Sequence, residues 1–243
     1  MNREELNQYI DNCILLGEVV TENSDIYTIV GMFNFGQKYY LKQILDSVYI
    51  DGLYLKRDKK NKIHLVFYDG DYESLDLGDC IDYIDARAFK PYRIRLPIIG
   101  RKEYHFRERN KLSHISGKSV ISVDVCAFAD SYIEKVDFPN VRKICDDSFE
   151  DTIYLESASF NHLKSVPERA FYHSSLESFE GKNVLDVGKS AFQGCTKLKF
   201  VSLPKANYME KSAFVGCTKL SRDNLIIKEE CEEFLCKKLR EKL

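Results

Sequence analysis

Hydrophobic residues recur along most of the chain with a period of 21 or 22 residues. The period is marked by an Ala-Phe dipeptide, or Ser-Phe in one case, whose phenylalanines are Phe89, Phe128, Phe149, Phe171, Phe192 and Phe214. These phenylalanines are 21 or 22 residues apart from Phe128 onward, and 39 residues separate Phe89 from Phe128. An aliphatic residue or methionine stands five residues before each phenylalanine, and a small or aliphatic residue stands eight residues before it. Repeats of this length with fixed apolar columns predict a solenoid in which each coil buries its apolar side against the next coil.

Each repeat also contains a short segment of the pattern apolar-x-x-apolar-x-apolar, as at Ile133, Val136 and Phe138. The alternation at its end is typical of a strand with one face in the core and one in solvent. Proline, which cannot donate to a strand ladder, follows the segment in three copies and ends the strand there. Those prolines are Pro97, Pro139 and Pro204. Counted from the first apolar position, the copies begin at Tyr72, Pro91, Leu112, Ile133, Leu155, Leu176, Leu198 and Leu220. The copy from Pro91 is degenerate and has Phe106 at the phenylalanine position.

The run Ser-Ala-Phe-Gln-Gly-Cys-Thr-Lys-Leu at residues 190–198 closely resembles the BspA-like leucine-rich repeat, and residues 212–220 repeat it almost unchanged. The resemblance extends over residues 72 to about 225. It implies a β-rich α/β protein, a leucine-rich repeat solenoid of about seven to eight coils with a parallel sheet along one curved face. It also implies a role in binding other proteins. Many members of the family are exposed on cell surfaces or secreted.

The two flanks have the patterns of capping elements, which a solenoid needs at its open ends. Residues 1–71 are predicted to form an α/β cap. This cap has helices at 4–14 and 38–45 and a hairpin of strands 48–55 and 63–68. In the first helix Leu6, Ile10 and Ile14 are expected to form the apolar face. The solenoid then covers 72–225, and residues 226–243 form a C-terminal helix. That helix either covers the last coil or dimerises with a second copy.

Composition narrows the functional classes. The chain has 243 residues, 30% of them charged, and a net charge of −2, which excludes a globally basic nucleic-acid binder. Its apolar runs are far shorter than a membrane span. The N-terminus lacks the basic start and apolar stretch of a secretory signal, so we expect an intracellular protein; a lost leader would make it extracellular. Eight cysteines without CxxC spacing favour free thiols, including Cys195 and Cys217 in one repeat column.

The sequence contains no recognisable catalytic or metal-binding constellation. The five histidines include no pair at metal-ligand spacing. Two Gly-Lys-Ser tripeptides, at 117–119 and 188–190, lack the glycine that a phosphate loop requires five residues earlier; Leu112 and Asn183 stand there instead. No nucleophile has an identifiable base. We therefore predict a protein that is not an enzyme and that uses no cofactor and no metal.

If the repeated strands form a concave sheet, the residues on either side of each middle apolar residue point outward. The predicted partner-binding residues on this face are Arg93, Arg95, His114, Lys135, Asp137, Glu180 and Phe200. Arginine and aromatic residues are typical interface anchors. The alternative is a face that is merely solvated.

Residues 90–111 depart from the charge balance of the chain. They contain eight Lys or Arg residues against two Glu, a net charge of +6. Further candidate binding residues in this basic segment are Arg101, Lys102, Arg107 and Arg109. Three interpretations remain open: a solvated irregular coil, a docking site for an acidic protein surface, and a contact with nucleic acid.

Together these patterns predict a module that binds a protein partner, as an inhibitor or adaptor, through the concave strands and the basic segment. The first alternative is a surface or secreted adhesin of the BspA-like type. The second is a nucleic-acid-associated protein that uses the basic segment. The sequence does not predict the oligomeric state.

The repeat register yields a first prediction. Phe192→Ala should lower the free energy of unfolding by about 3–5 kcal/mol, because it empties a buried phenylalanine site. Chemical denaturation of the two proteins measures the difference. An unchanged stability would show that the register is wrong.

Overall fold

The computed structural model describes residues 2–21, 24, 44–89 and 112–228. The first element is helix α1, Arg3–Leu16, which begins with a capping box: the Asn2 side chain accepts from the Glu5 amide, and the Glu5 carboxylate accepts from the Asn2 amide, both at 2.9 Å. The predicted helix is confirmed, and so are two of the three residues expected on its apolar face. Leu6, Ile10 and Cys13 are buried, whereas Ile14 is 54% exposed because it lies one position beyond the buried stripe.

Three antiparallel strands follow, β1 Val48–Ile50, β2 Leu53–Arg57 and β3 Ile63–Tyr68. The predicted hairpin is confirmed, and a second tight turn at Asp51 and Gly52 divides its first arm into β1 and β2. Both turn residues have positive φ, 49° and 84°. A Cβ on Gly52 would lie 2.4 Å from the Gly70 Cα, so this turn needs glycine on both counts.

Each subsequent coil contributes one longer and one shorter strand, except the last, which contributes only a longer strand within the described residues. The longer strands are β4 Ser74–Asp76, β6 His114–Ser116, β8 Lys135–Asp137, β10 Ser157–Ser159, β12 Ser178–Glu180, β14 Phe200–Leu203 and β16 Leu225–Ile227. The shorter strands are β5 Tyr83–Ile84, β7 Ser122–Val123, β9 Lys143–Ile144, β11 Ser165–Val166, β13 Asp186–Val187 and β15 Tyr208–Met209. A single 3-10 turn, Arg222–Asn224, precedes β16.

Equivalent strands of successive coils pair in parallel and so wind the chain into a solenoid of about six turns. The longer strands form two sheets, β4-β6-β8-β10 and β12-β14-β16. The shorter strands form the sheets β3-β5-β7-β9 and β11-β13-β15, with β1 and β2 beyond β3. Strand β3 therefore joins the N-terminal hairpin to the solenoid, because it pairs in parallel with β5.

A stack of phenylalanine rings runs through the core. Its members are the six repeat phenylalanines, Phe89, Phe128, Phe149, Phe171, Phe192 and Phe214. Neighbouring ring centroids lie 4.6, 5.1, 5.2, 5.3 and 5.1 Å apart, with interplanar angles between 4° and 8°. Tyr68 of β3 extends the stack at 5.2 Å from Phe89. The phenylalanine column is thus a buried core feature, as the repeats predict.

The two coils on either side of the degenerate copy predicted from Pro91 pair directly with each other. Strand β4 pairs directly with β6, Ser74 opposite His114, and β5 pairs directly with β7. The ring of Phe89 stacks directly on Phe128 at 4.6 Å, and Phe106 lies outside the described residues. The predicted count of seven to eight coils is therefore matched only roughly, by about six turns, because residues 90–111 separate two coils along the chain that are neighbours in the sheets.

The last coil differs from its prediction as well. Equal spacing from Leu198 to Leu220 places Arg222 and Asn224 on either side of the middle strand residue. Instead these residues form the 3-10 turn, and Val201 of β14 pairs with Leu225 of β16. The turn displaces the strand by two residues along the sequence.

In the turns around Phe128, Phe149, Phe171 and Phe192, the residues two positions before and two positions after the phenylalanine both adopt the left-handed conformation, and the turns of Phe89 and Phe214 each contribute one such residue among those described. Those before it are Arg87, Cys126, Asp147, Arg169 and Ser190. Those after it are Asp130, Asp151, His173, Gly194 and Gly216. A Cβ on Gly194 would meet His173 Cδ2 of the preceding coil at 2.0 Å, whereas a Cβ on Gly216 has no neighbour closer than 3.4 Å. The two glycines therefore differ in how closely the previous coil approaches them.

Asp82 connects the cap to the first coil. Its side chain is only 3% exposed and accepts hydrogen bonds at 2.9 Å from Arg3 Nη1, Lys62 Nζ and the Ile63 amide. Burial by itself raises the pKa of Asp82, and these donors outweigh burial, so the pKa lies below its usual value. One carboxylate thus ties helix α1 and the β2–β3 hairpin to the solenoid.

The glycine pair provides a matched test of coil packing. Gly216→Ala should cost about 1 kcal/mol for the left-handed backbone, and Gly194→Ala roughly 1 kcal/mol more because His173 must move. Denaturant unfolding of the two variants measures the difference. The double variant His173→Ala/Gly194→Ala should return to the cost of Gly216→Ala alone. Equal costs for the two single substitutions would contradict the contact.

Asp82 should make the free energy of unfolding depend on pH in the acidic range. Because its folded pKa is lowered, its contribution is complete above the unfolded pKa of about 3.9 and is lost as the pH falls through the folded pKa. Asp82→Asn should therefore lower the unfolding free energy at pH 7 and flatten its decline below about pH 5. Urea titrations between neutral pH and acid measure both effects. Asp79→Asn, at an exposed neighbour, is the control and should follow the wild type.

Candidate functional site

The outward positions of the longer strands form two parallel rows on one surface, which we call the strand face. The first row contains Ser74, His114, Lys135, Ser157, Ser178 and Phe200. The second row contains Asp76, Ser116, Asp137, Ser159, Glu180, Ser202 and Ile226. Because the strands are in register, equivalent side chains of successive coils lie roughly 4.8 Å apart along each row.

Charge is divided between the two rows. His114 and Lys135 lie in the first row, whereas Asp76, Asp137 and Glu180 lie in the second. Lys135, Asp137 and Glu180 are exposed, and in the described part of the chain none of them has an ion-pair partner. The strand face therefore offers an acidic row with two unpaired carboxylates.

Asp76 and His114 are held by their neighbours. The Gly78 amide donates to Asp76 Oδ1 at 3.0 Å and the Ser116 hydroxyl donates to it at 2.8 Å, which together lower the pKa of this carboxyl. His114 is half-buried, with Nδ1 2.5 Å from the Ser113 hydroxyl. These contacts fix two side chains of the face in place.

The C-terminal end of the strand face is apolar. Phe200, expected to be exposed, is half-buried. Ile226 of β16 lies opposite Ser202 of β14 and is 49% exposed. Sequence reasoning missed Ile226 because it assumed an even repeat in the last coil. The two residues together supply a hydrophobic contact area that the rest of the face lacks.

Small side chains leave a shallow depression in the other half of the face. Its floor includes Ile115, Val136 and Ala158, the middle residues of β6, β8 and β10. Its edges are the flanking residues of these strands and Ser74, and four of these edge residues are serines: Ser74, Ser116, Ser157 and Ser159. An extended chain has room to approach the sheet here.

Several predicted elements lie outside the described residues. They are Arg93, Arg95, Arg101, Lys102, Arg107 and Arg109 of the basic segment, the C-terminal helix beyond residue 228, and most of the predicted helix at 38–45. The structure therefore brings together His114, Lys135, Asp137, Glu180 and Phe200 on one face, and the predicted roles of the basic segment stay predictions.

The cysteines of the repeat column are free thiols in the described structure. Cys195 and Cys217 are buried, and each donates to the carbonyl of the phenylalanine one coil earlier, Phe171 at 2.9 Å and Phe192 at 3.0 Å. In the coils before them Ser174 and Thr152 occupy the same position. The column therefore satisfies turn carbonyls in the core and does not present a reactive site.

Among the described residues, no group of three His, Cys, Asp or Glu side chains is arranged to hold a metal ion. The tripeptide glycines Gly117 and Gly188 directly follow β6 and β13, inside repeat coils. Burial, with Asp124 nearby, raises the pKa of the Cys145 thiol to about 11, which makes it a poor nucleophile at neutral pH. In the same part of the chain, no helix has both the length and the apolar character needed to cross a bilayer.

Comparison with known proteins agrees with the geometry. No curated protein has a significantly similar sequence. The fold is similar to that of a leucine rich cell surface protein from Faecalibacterium prausnitzii, with a TM-score of 0.51 and 20% identity over 75% of this chain and 39% of that one. It is also similar to the T. pallidum Leucine Rich Repeat protein, with a TM-score of 0.57 and 17% identity over 79% of this chain and 95% of that one.

The present chain thus spans about two fifths of the first protein, and at these identities the likeness concerns the fold alone. The repeats themselves are more specific. Residues 121–234 match the BspA type leucine rich repeat region in six copies. The matched residues form a BspA-type leucine-rich repeat region, the family that the repeat sequence resembles.

Proposed function

We propose that the chain is a protein-binding module without catalytic activity, of the inhibitor or adaptor type, and that the strand face is its binding surface. The observation that carries the proposal is the pair of unpaired, exposed carboxylates in the second row, Asp137 and Glu180, beside a depression edged by serines. Exposed charges that have no partner among the described residues are available to a partner protein.

The rigidity of the scaffold supports binding. Each strand of the face is hydrogen-bonded in parallel to its neighbours on the same sheet, and the face rests on the stacked phenylalanine core. The backbone of such a surface is already ordered and loses little conformational freedom when a partner docks, which lowers the entropic cost of association.

The pattern of the face indicates the chemistry of the partner. The acidic second row favours Lys or Arg side chains, and Phe200 with Ile226 favours an apolar group at the C-terminal end. The basic segment 90–111, with a net charge of +6, is proposed to add a contact to an acidic surface of the same partner.

A surface adhesin is the second candidate. It is favoured by the fold that this chain shares with the F. prausnitzii cell surface protein at a TM-score of 0.51. The intracellular location is a prediction from the sequence, and protease treatment of intact host cells separates the two candidates: only a surface protein is digested. Nucleic acid is the less favoured partner, because the second row of the strand face is acidic and repels phosphate.

Charge reversal on the face tests the proposal. The tagged wild type and an Asp137→Lys/Glu180→Lys variant are used to capture partners from a lysate of the host, with the bound proteins quantified by mass spectrometry. We expect a specific partner whose recovery falls about tenfold or more in the variant, because both contacts become repulsive. A Phe200→Ala variant should reduce recovery of the same partner.

The matched control is Asp146→Lys/Glu156→Lys, which reverses two exposed charges outside the two rows. It should capture as much partner as the wild type. Equal recovery by the face variant, with the fold intact by circular dichroism, would contradict the proposal. A bound fraction that consists of nucleic acid and is lost at higher salt would point to the phosphate-binding alternative.

A further inference from the structure

A second depression lies away from the strand face, on the turns that lead from the longer strands to the shorter ones. Four successive coils contribute its lining, which we call the basic depression: Arg142, His162, Lys164, Asn183, Leu185 and Lys205. Arg142, Lys164 and Leu185 each directly precede the short strand of their coil. The Leu185 amide donates to the Lys164 carbonyl at 2.8 Å, so these positions stack in register along the solenoid.

The lining is uniformly non-acidic. It contains three permanent cations, Arg142, Lys164 and Lys205, and no Asp or Glu. No described carboxylate lies within ion-pair distance of these three cations. Two other lysines of the solenoid are paired, Lys189 with Glu168 and Lys199 with Glu177, both at 3.1 Å. The basic depression is therefore a local concentration of uncompensated positive charge on a chain whose net charge is −2.

Two further features give the depression the character of a binding site for a peptide. Leu185 is 38% exposed between the cations, which provides an apolar contact. The Asn183 side chain is engaged on both sides: it donates to the Asn161 carbonyl at 3.2 Å and accepts from Lys205 Nζ at 2.9 Å. Lys205 is thus positioned by a neutral partner, which holds its ammonium group in place without neutralising it.

We propose that the basic depression binds an acidic peptide segment of a partner protein, with Asp or Glu side chains on Arg142, Lys164 and Lys205 and an aliphatic side chain on Leu185. A peptide is favoured over nucleic acid because the lining contains an exposed aliphatic residue and no Phe, Tyr or Trp ring on which a base would stack. This site is separate from the strand face and does not depend on that face binding anything.

The test uses a fluorescein-labelled peptide that repeats Glu-Glu-Leu. Four coils at roughly 4.8 Å each span about 14 Å, so a probe of about ten residues covers the depression when extended. Fluorescence anisotropy with the full chain should show binding that weakens as salt increases. Arg142→Glu/Lys164→Glu/Lys205→Glu should weaken binding about tenfold or more, since each exposed contact contributes a small attraction that reversal turns into repulsion. Leu185→Ser should weaken it to a smaller extent.

The matched control is Lys59→Glu/Lys197→Glu/Lys219→Glu, which makes the same change of charge at exposed lysines outside the depression. It should bind the peptide better than the depression variant does. Equal losses of peptide binding in the two variants would indicate a general charge effect and would overturn the proposal. Absence of peptide binding by the wild type at low salt would also overturn it. Single-stranded DNA of similar length that binds more tightly than the peptide, and is lost in the depression variant, would overturn the choice of a peptide. Asp137→Lys/Glu180→Lys on the strand face should keep peptide binding, so failure of either proposal is recognised separately.

Discussion

Face-to-face stacking of one phenylalanine from each coil is the interaction on which the structure depends. The six rings lie nearly parallel, 4.6 to 5.3 Å apart, and this spacing is close to that of the parallel strands on either side of them. A coil has no buried interior of its own, so each ring is stabilised only by its neighbours. Tyr68 of the N-terminal hairpin covers the first ring, which makes the hairpin part of the same core.

The stack also determines what the surface can do. Because every coil has the same height, side chains at equivalent positions form straight rows. The residue type at one position of each coil therefore sets the charge or the hydrophobicity of a whole row. The second row of the strand face is acidic, and the turns beyond it carry the basic depression. Two surfaces of opposite charge on one rigid solenoid suit a module that holds two different segments of partner protein at a fixed separation.

Much of this arrangement follows from the sequence, because a spacing of 21 or 22 residues between phenylalanines specifies the strands, the core column and the outward positions together. The errors arose where spacing is ambiguous. Residues 90–111 are about as long as a repeat, so periodicity counted them as a coil although β4 pairs directly with β6. A 3-10 turn displaces β16 along the sequence, so even spacing did not place Ile226 on the predicted face. The basic depression was not predicted, because its cations come from two different positions of the repeat. Arg142 and Lys164 occupy one position in their coils, and Lys205 occupies the other.

The most direct test of this account is a nuclear Overhauser measurement between the ring protons of Phe89 and Phe128 in selectively labelled protein. These residues are separated by 39 positions in the sequence. Direct stacking places their ring centroids 4.6 Å apart and predicts strong cross-peaks between the two rings. A coil inserted between them would separate the rings by about 10 Å, twice the spacing of adjacent strands, and abolish the cross-peaks. Cross-peaks from Phe106 to both rings would contradict the account.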